Sequence, residues 1–205
     1  VTQARSGFAA LPAVRAELTA LIRDPDPGPG LLPGRLLFDD AFTRDALLRE
    51  LQQRRPLVHI SSHFRFTPGN DNQSYLLLGQ GEPLRLNEVE KQPTLFAGVD
   101  LLTLSACETA MGDAPNATGA EVEGFAVLAQ RKGAKAVLAT LWSVADASTG
   151  QFMQRFYALR QNEHLTKAEA LRRAQVEFLR GNAASPAPPA DAAGLTPKGF
   201  TPDPP

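Results

Sequence analysis

The chain holds a single cysteine and three histidines. Cys107 stands where an apolar, strand-like run, Leu101-Leu102-Thr103-Leu104, breaks into Ser105-Ala106-Cys107-Glu108-Thr109. An earlier run, Leu57-Val58-His59-Ile60-Ser61-Ser62, breaks at His63. A thiol and an imidazole at the ends of two predicted strands are a nucleophile and a base, the pair that thiol hydrolysis needs. A lone cysteine is more often a small buried hydrophobe. Position argues otherwise here, because reactive groups in open α/β sheets collect outside the carboxyl ends of the strands.

The remaining candidates for chemistry are fewer. His59 lies two residues before Ser61 on the same strand and shares its face with Leu57 and Ser61, which predicts a buried, hydrogen-bonded structural histidine. His164 sits among polar residues between two predicted helices and is expected in solvent. One cysteine and three scattered histidines cannot form a structural zinc site, so no metal is expected. Gly79-Gln80-Gly81 lacks the strand-to-helix setting of a phosphate loop, and no cofactor is expected. A net charge of -1 offers no basic excess for nucleic acid. No apolar stretch approaches the roughly 18 residues that span a bilayer, and Val1 to Phe8 is too polar for a signal peptide. A lone cysteine makes no internal disulfide, which points to a reducing, cytoplasmic setting.

These residues must be carried by elements that alternate between strand and helix. At 205 residues the chain suits one well-buried domain. A first helix carries the stripe Leu11, Val14, Leu18, Leu21 and Ile22 and ends in the Pro-Gly-rich stretch from Asp24 to Gly34. Arg35 to Phe38 reads as a short strand, and Thr43 caps a helix bearing Ala46, Leu47, Leu48 and Leu51. After the histidine strand, Tyr75 to Leu78 and Leu84 to Leu86 read as a hairpin, with Asn87 capping a short helix to Lys91.

Beyond the cysteine strand, a loop from Met111 to Thr118 leads to a helix stopped by Gly133, with Val122, Phe125, Ala126 and Ala129 facing the sheet. Lys135 to Trp142 is a further buried strand. A helix with Phe152, Met153, Phe156 and Tyr157 follows, and Thr166 to Glu169 forms a capping box for the last helix. The alternation predicts an α/β fold with a mostly parallel central sheet and helices on both faces. The organised part is expected over 8–181, and 182–205 reads as an Ala/Pro-rich flexible tail or connection.

Four strings, in order, resemble the CHAT domain: Val58 to His63, Leu102 to Thr109, Gly133 to Asp146, and Phe156-Tyr157 with Ala170 to Gln175. CHAT domains belong to the caspase, separase and gingipain superfamily and often follow tetratricopeptide repeats in bacterial proteins. The resemblance implies a caspase-like three-layer sandwich and a cysteine endopeptidase with a Cys107/His63 dyad. It implies an oxyanion site formed by the backbone amides of Phe64 and Cys107, with no cofactor. Family members usually carry Gly where Phe64 stands, and they continue into an aromatic-rich segment past the point where this chain ends.

The resemblance also implies that the loop from Trp142 to Asp146 builds the pocket for the residue before the cut. Asp146 there either selects Arg or Lys or caps a helix beginning near Ala147. Trp142 is a pocket wall or core, and Glu108 orients the site or is a loop charge. Implied partners are a protein or peptide substrate and a tetratricopeptide-repeat region or regulatory protein. The alternative is a peptidase-like fold, catalytically suppressed, that serves interaction or regulation.

Overall fold

A computed structural model describes residues 1–24, 30–65, 67, 70, 72–105, 120–139 and 146–181, with the backbone alone at 120–124 and 146–147. Three strands, β3 (Leu57–Ser61), β7 (Leu101–Ser105) and β8 (Val137–Ala139), form a parallel sheet in the order β3-β7-β8. Every residue of the central strand β7 is buried, as expected of a strand covered on both faces.

Strand alternation sends two sets of side chains to opposite layers. Leu57, Leu101 and Leu138 pack on α1 (Val14–Leu21), α5 (Asp146–Asn162) and α6 (Lys167–Leu179) through Leu21, Met153, Phe156 and Ala170. Ile60, Leu102 and Leu104 face the other way, onto α2 (Arg44–Gln52), α3 (Leu86–Glu90) and α4 (Ala120–Arg131) through Leu47, Leu51, Val89 and Phe125. The fold is therefore an α/β sandwich of three layers, as a caspase-like domain requires. Among the described side chains of α4 the buried ones are Phe125, Leu128 and Ala129, Ala126 is only half-buried, and the Val122 side chain lies outside the described residues.

Local sequence explains where the helices start and stop. Thr43 Oγ1 accepts the Ala46 amide at 3.2 Å and opens α2 as expected. Thr166 does the same for α6 through the Glu169 amide, also at 3.2 Å. The expected reciprocal half of that capping box goes elsewhere, because the Glu169 carboxylate pairs with Arg172 at 2.6 Å. Lys167 ties α6 to the start of β7 through Asp100 at 2.8 Å, and this hydrogen bond holds the Asp100 carboxyl below its ordinary range.

Two expectations are corrected and one strand is added. Residues 35–38 form no strand; instead β1 (Ile22–Arg23) pairs in parallel with β2 (Leu32–Pro33). The Leu36 amide donates to Asp24 Oδ2 at 2.6 Å, which diverts it from any ladder. Helix α3 begins at Leu86 with Arg85 at the cap position, where Glu88 accepts the Arg85 amide at 2.8 Å, so Asn87 caps nothing. A short strand unforeseen in the sequence, β4 (Phe64–Arg65), precedes the expected hairpin of β5 (Tyr75–Leu77) and β6 (Pro83–Arg85), and the three form an antiparallel sheet. The expected 111–118 loop, the end of the strand from Lys135 to Trp142 and the tail from 182 lie outside the described residues.

Gly133 ends α4 at φ +111, where an added Cβ would sit 2.9 Å from the Ala97 backbone. Gly181, past the end of α6, has φ +65 but open space around it. Gly133→Ala is expected to cost about 2–3 kcal/mol in chemical denaturation, and Gly181→Ala no more than about 1 kcal/mol, since only the first adds a backbone clash to the strain of a left-handed residue.

Candidate active site

The register of β3 and β7 levels the ends of the two strands. His59 pairs with Thr103, and Ser61 with Ser105. His63 follows the first strand by two residues, and Cys107 follows the second by two. Cys107 itself lies outside the described residues, as do Glu108 and Trp142. Asp146 is the first residue of α5, one position earlier than the cap reading places it, and its side chain is likewise not described.

His63 is fully buried, at 0 % exposure. The Phe8 ring stacks on its imidazole at 4.8 Å and 28°. Its Nε2 lies 2.9 Å from the Ala9 carbonyl oxygen, and since a carbonyl only accepts, Nε2 carries the proton. In the neutral ring the lone pair then belongs to Nδ1, which is the basic nitrogen. The lead-in to α1 thus fixes the tautomer of the histidine from outside its own strand.

Phe64 raises the question of whether a large side chain crowds the cleft where glycine is usual. Its ring turns instead into the core, at 5 % exposure, and meets Phe125 edge to face at 5.4 Å. Its amide is directed by the ladder. Leu77 donates to the His63 carbonyl at 2.9 Å, which makes that a hydrogen-bonded pair, so the neighbouring Phe64–Leu76 pair is of the non-hydrogen-bonded kind. The Phe64 N–H therefore points away from β5.

Beneath the strand ends lies a polar cluster on the α1 side of the sheet. Glu17 of α1, 1 % exposed, accepts from Ser105 Oγ at 2.8 Å and contacts His59 Nε2 at 2.9 Å through the same oxygen. Its second oxygen faces Ser61 Oγ at 3.4 Å. His59 Nδ1 lies 3.3 Å from the Tyr157 hydroxyl, which in turn lies 2.7 Å from Thr103 Oγ1. One set of donors satisfies every bond. His59 Nε2–H and Ser105 donate to the carboxylate, Tyr157 donates to Nδ1, and Thr103 donates to Tyr157.

His59 is the buried, hydrogen-bonded residue its strand position predicts. Glu17 is not among the residues the sequence singles out, and Tyr157 stands out there only on its helix face and in a CHAT-like string, not as a partner of His59. The available signal was an acid inside the apolar stripe of α1, between Val14 and Leu18, facing strands that carry serines among leucines.

A cavity of about 350 Å³ runs along the outer edge of β3, lined by Leu18, Leu21, Leu57, Ile60 and Tyr157. It follows β3 from Leu57 to Ser61, and His63 does not line it. Among the described residues no group of acids, histidines or cysteine can hold a metal ion, and no helix is long and apolar enough to cross a membrane.

The sequence model of the CHAT domain family matches residues 2–199. This chain belongs to the CHAT domain family. The CHAT domain places it within the caspase-like cysteine peptidase superfamily. Comparisons with curated proteins and with solved structures returned no match.

Burial raises the Tyr157 phenol to about 12, against the opposing pull of the Thr103 hydrogen bond. The unfolded chain loses this proton near pH 10, so it binds fewer protons than the folded chain above that pH and stability falls as pH rises from about 10 to about 12. Tyr157→Phe is expected to remove this alkaline slope from denaturation midpoints measured between pH 9 and 12. At neutral pH it should cost about 1–3 kcal/mol for the partners it strands.

Proposed function

We propose that this chain is a cysteine endopeptidase that hydrolyses peptide bonds through Cys107 and His63. The observation that carries the reading is the family match taken together with His63 at the carboxyl end of β3, its Nε2 proton engaged by Ala9. An ordinary thiol, with a pKa of about 8.5, is only a few per cent thiolate at neutral pH, so it needs such a base. Nδ1 of His63 takes the Cys107 proton and the sulfur attacks the scissile carbonyl. The amides of Phe64 and Cys107 then stabilise the developing oxyanion. His63 returns the proton to the leaving amine, and water, deprotonated by the same imidazole, hydrolyses the thioester.

Fixing the tautomer through a backbone carbonyl gives the ring orientation without a third side chain. Asp146 at the start of α5 selects a basic residue before the cut by charge-assisted hydrogen bonding, with Trp142 and Glu108 completing the pocket. The reducing interior of the cytoplasm keeps the thiol usable, and a repeat region or regulatory protein gates the site.

A second reading has one observation in its favour. The His63 imidazole has no exposed surface and lies under Phe8, which suits a suppressed peptidase fold that serves as an interaction module.

The two readings part on reactivity. Peptidyl acyloxymethyl ketones bearing Arg, Lys, Asp or Leu next to the warhead should label Cys107 selectively, as read by intact mass, with Cys107→Ala as the control. His63→Ala is expected to slow labelling by about 10²-fold or more. Equal labelling in that variant would favour the suppressed fold. Asp146→Ala should erase the preference for the basic probes while leaving reaction with a simple alkylator intact.

A further inference from the structure

We propose that Glu17 is a positioning residue for the His63/Cys107 pair. Its carboxylate clamps α1 onto the ends of β3 and β7, and α1 in turn delivers the Ala9 carbonyl that fixes the His63 ring. The proposal rests on the reading of His63 as the base.

The argument begins with what a buried carboxylate demands. Removed from water, it is tolerated only where donors surround it. Glu17 meets them on both dyad-bearing strands, Ser61 and His59 on β3 and Ser105 on β7, so a single side chain bridges the two strand ends from a third element. Helix α5 closes the other side. Its Gly150 lets the helix approach until an added Cβ would stand 3.4 Å from the Glu17 Cβ, and its Tyr157 and Arg160 are the titratable and charged groups it turns toward the cluster. The Val1 nitrogen reaches the same region, donating to the Ser61 carbonyl at 2.6 Å.

Nothing in the apolar packing of α1 dictates an acid at this position. Val14, Leu18 and Leu21 already bury the helix, and a leucine at 17 would continue their stripe. What an apolar side chain cannot do is fix the helix axially against the sheet, because apolar contact is non-directional. Three directional bonds converging on one carboxylate set the height of α1 on the strands. Phe8 and Ala9 precede that helix by less than two turns of chain, so their contact with His63 inherits the same height. A shift of the order of 1 Å at a catalytic group costs about a hundredfold in rate, so this mechanical link bears directly on the dyad.

Glu17→Gln keeps the shape and an accepting oxygen for His59 and Ser105, whereas Glu17→Ala removes the clamp. The two are compared with the parent chain in ¹⁵N-histidine NMR, which distinguishes the Nε2–H from the Nδ1–H tautomer, and in the rate of Cys107 labelling by the peptidyl ketone. His63 in the parent chain should show the Nε2–H tautomer. Glu17→Ala should show mixed tautomers at His63 and label at least about tenfold more slowly, while Glu17→Gln should keep the tautomer and stay within about threefold. A folded Glu17→Ala protein that loses only thermal stability, with the parent tautomer and labelling rate, overturns the proposal.

Should Glu17→Ala fail to fold, Ser105→Ala removes one donor alone. It is expected to slow labelling with the same loss of tautomer, and an unchanged His63 signal would count against the clamp. If the parent chain labels with no selectivity, the peptidase reading fails, yet the tautomer comparison still decides whether Glu17 positions His63.

Discussion

A carboxylate held at 1 % exposure between one helix and two strands constrains everything that touches it. Glu17 needs donors, and the sheet supplies them only because β3 and β7 run in parallel with residues 59 and 61 level with 103 and 105. A slip of one residue in β3 would turn His59 and Ser61 toward Phe125 and present Val58 and Ile60 to the carboxylate. That arrangement would bury the His59 and Ser61 donors without acceptors on one face and leave the acid with Ser105 alone of its three donors on the other. The register is therefore held by polar complementarity on one face and by leucine, isoleucine and phenylalanine packing on the other. It is this register that brings the ends of the two strands level, and the proposed chemistry takes place beyond those ends.

Much of this frame was legible because its signals are local. The alternation of apolar strands and amphipathic helices determines the layer order, and threonine caps mark the starts of α2 and α6. The errors arose where a competing polar group intervened, twelve residues off at Asp24 and one helical turn off at Arg172. Asp24 takes the Leu36 amide and removes a strand, and Arg172 takes the Glu169 carboxylate and leaves its capping box half-made. Glu17 was missed for a related reason. Its neighbours in sequence say only that an acid sits in an apolar stripe, and its partners come from elements separated from it by large parts of the chain. His59, by contrast, was readable as buried and bonded from the strand pattern alone, though its partners were not.

Phe64 shows how a departure from a family pattern can be absorbed. A ring at this position would obstruct a cleft if it pointed outward. β4 pairs with β5 so that the side chain enters the core against Phe125 and the amide turns away from the ladder. The backbone retains the donor that a glycine would have offered, and the ring adds apolar contact between the antiparallel sheet and α4.

The members of the polar cluster are spread along the chain at positions 17, 59, 103, 105 and 157. Contacts of such sequence separation form late, because the intervening chain must be ordered before they can repay its entropy. During synthesis from the N-terminus, Glu17 stays hydrated and α1 stays unmoored until α5 has left the ribosome. The strand ends gain their final alignment only with most of the domain already made, so under the proposed function a nascent chain carries Cys107 for some time in a form that cannot yet cut.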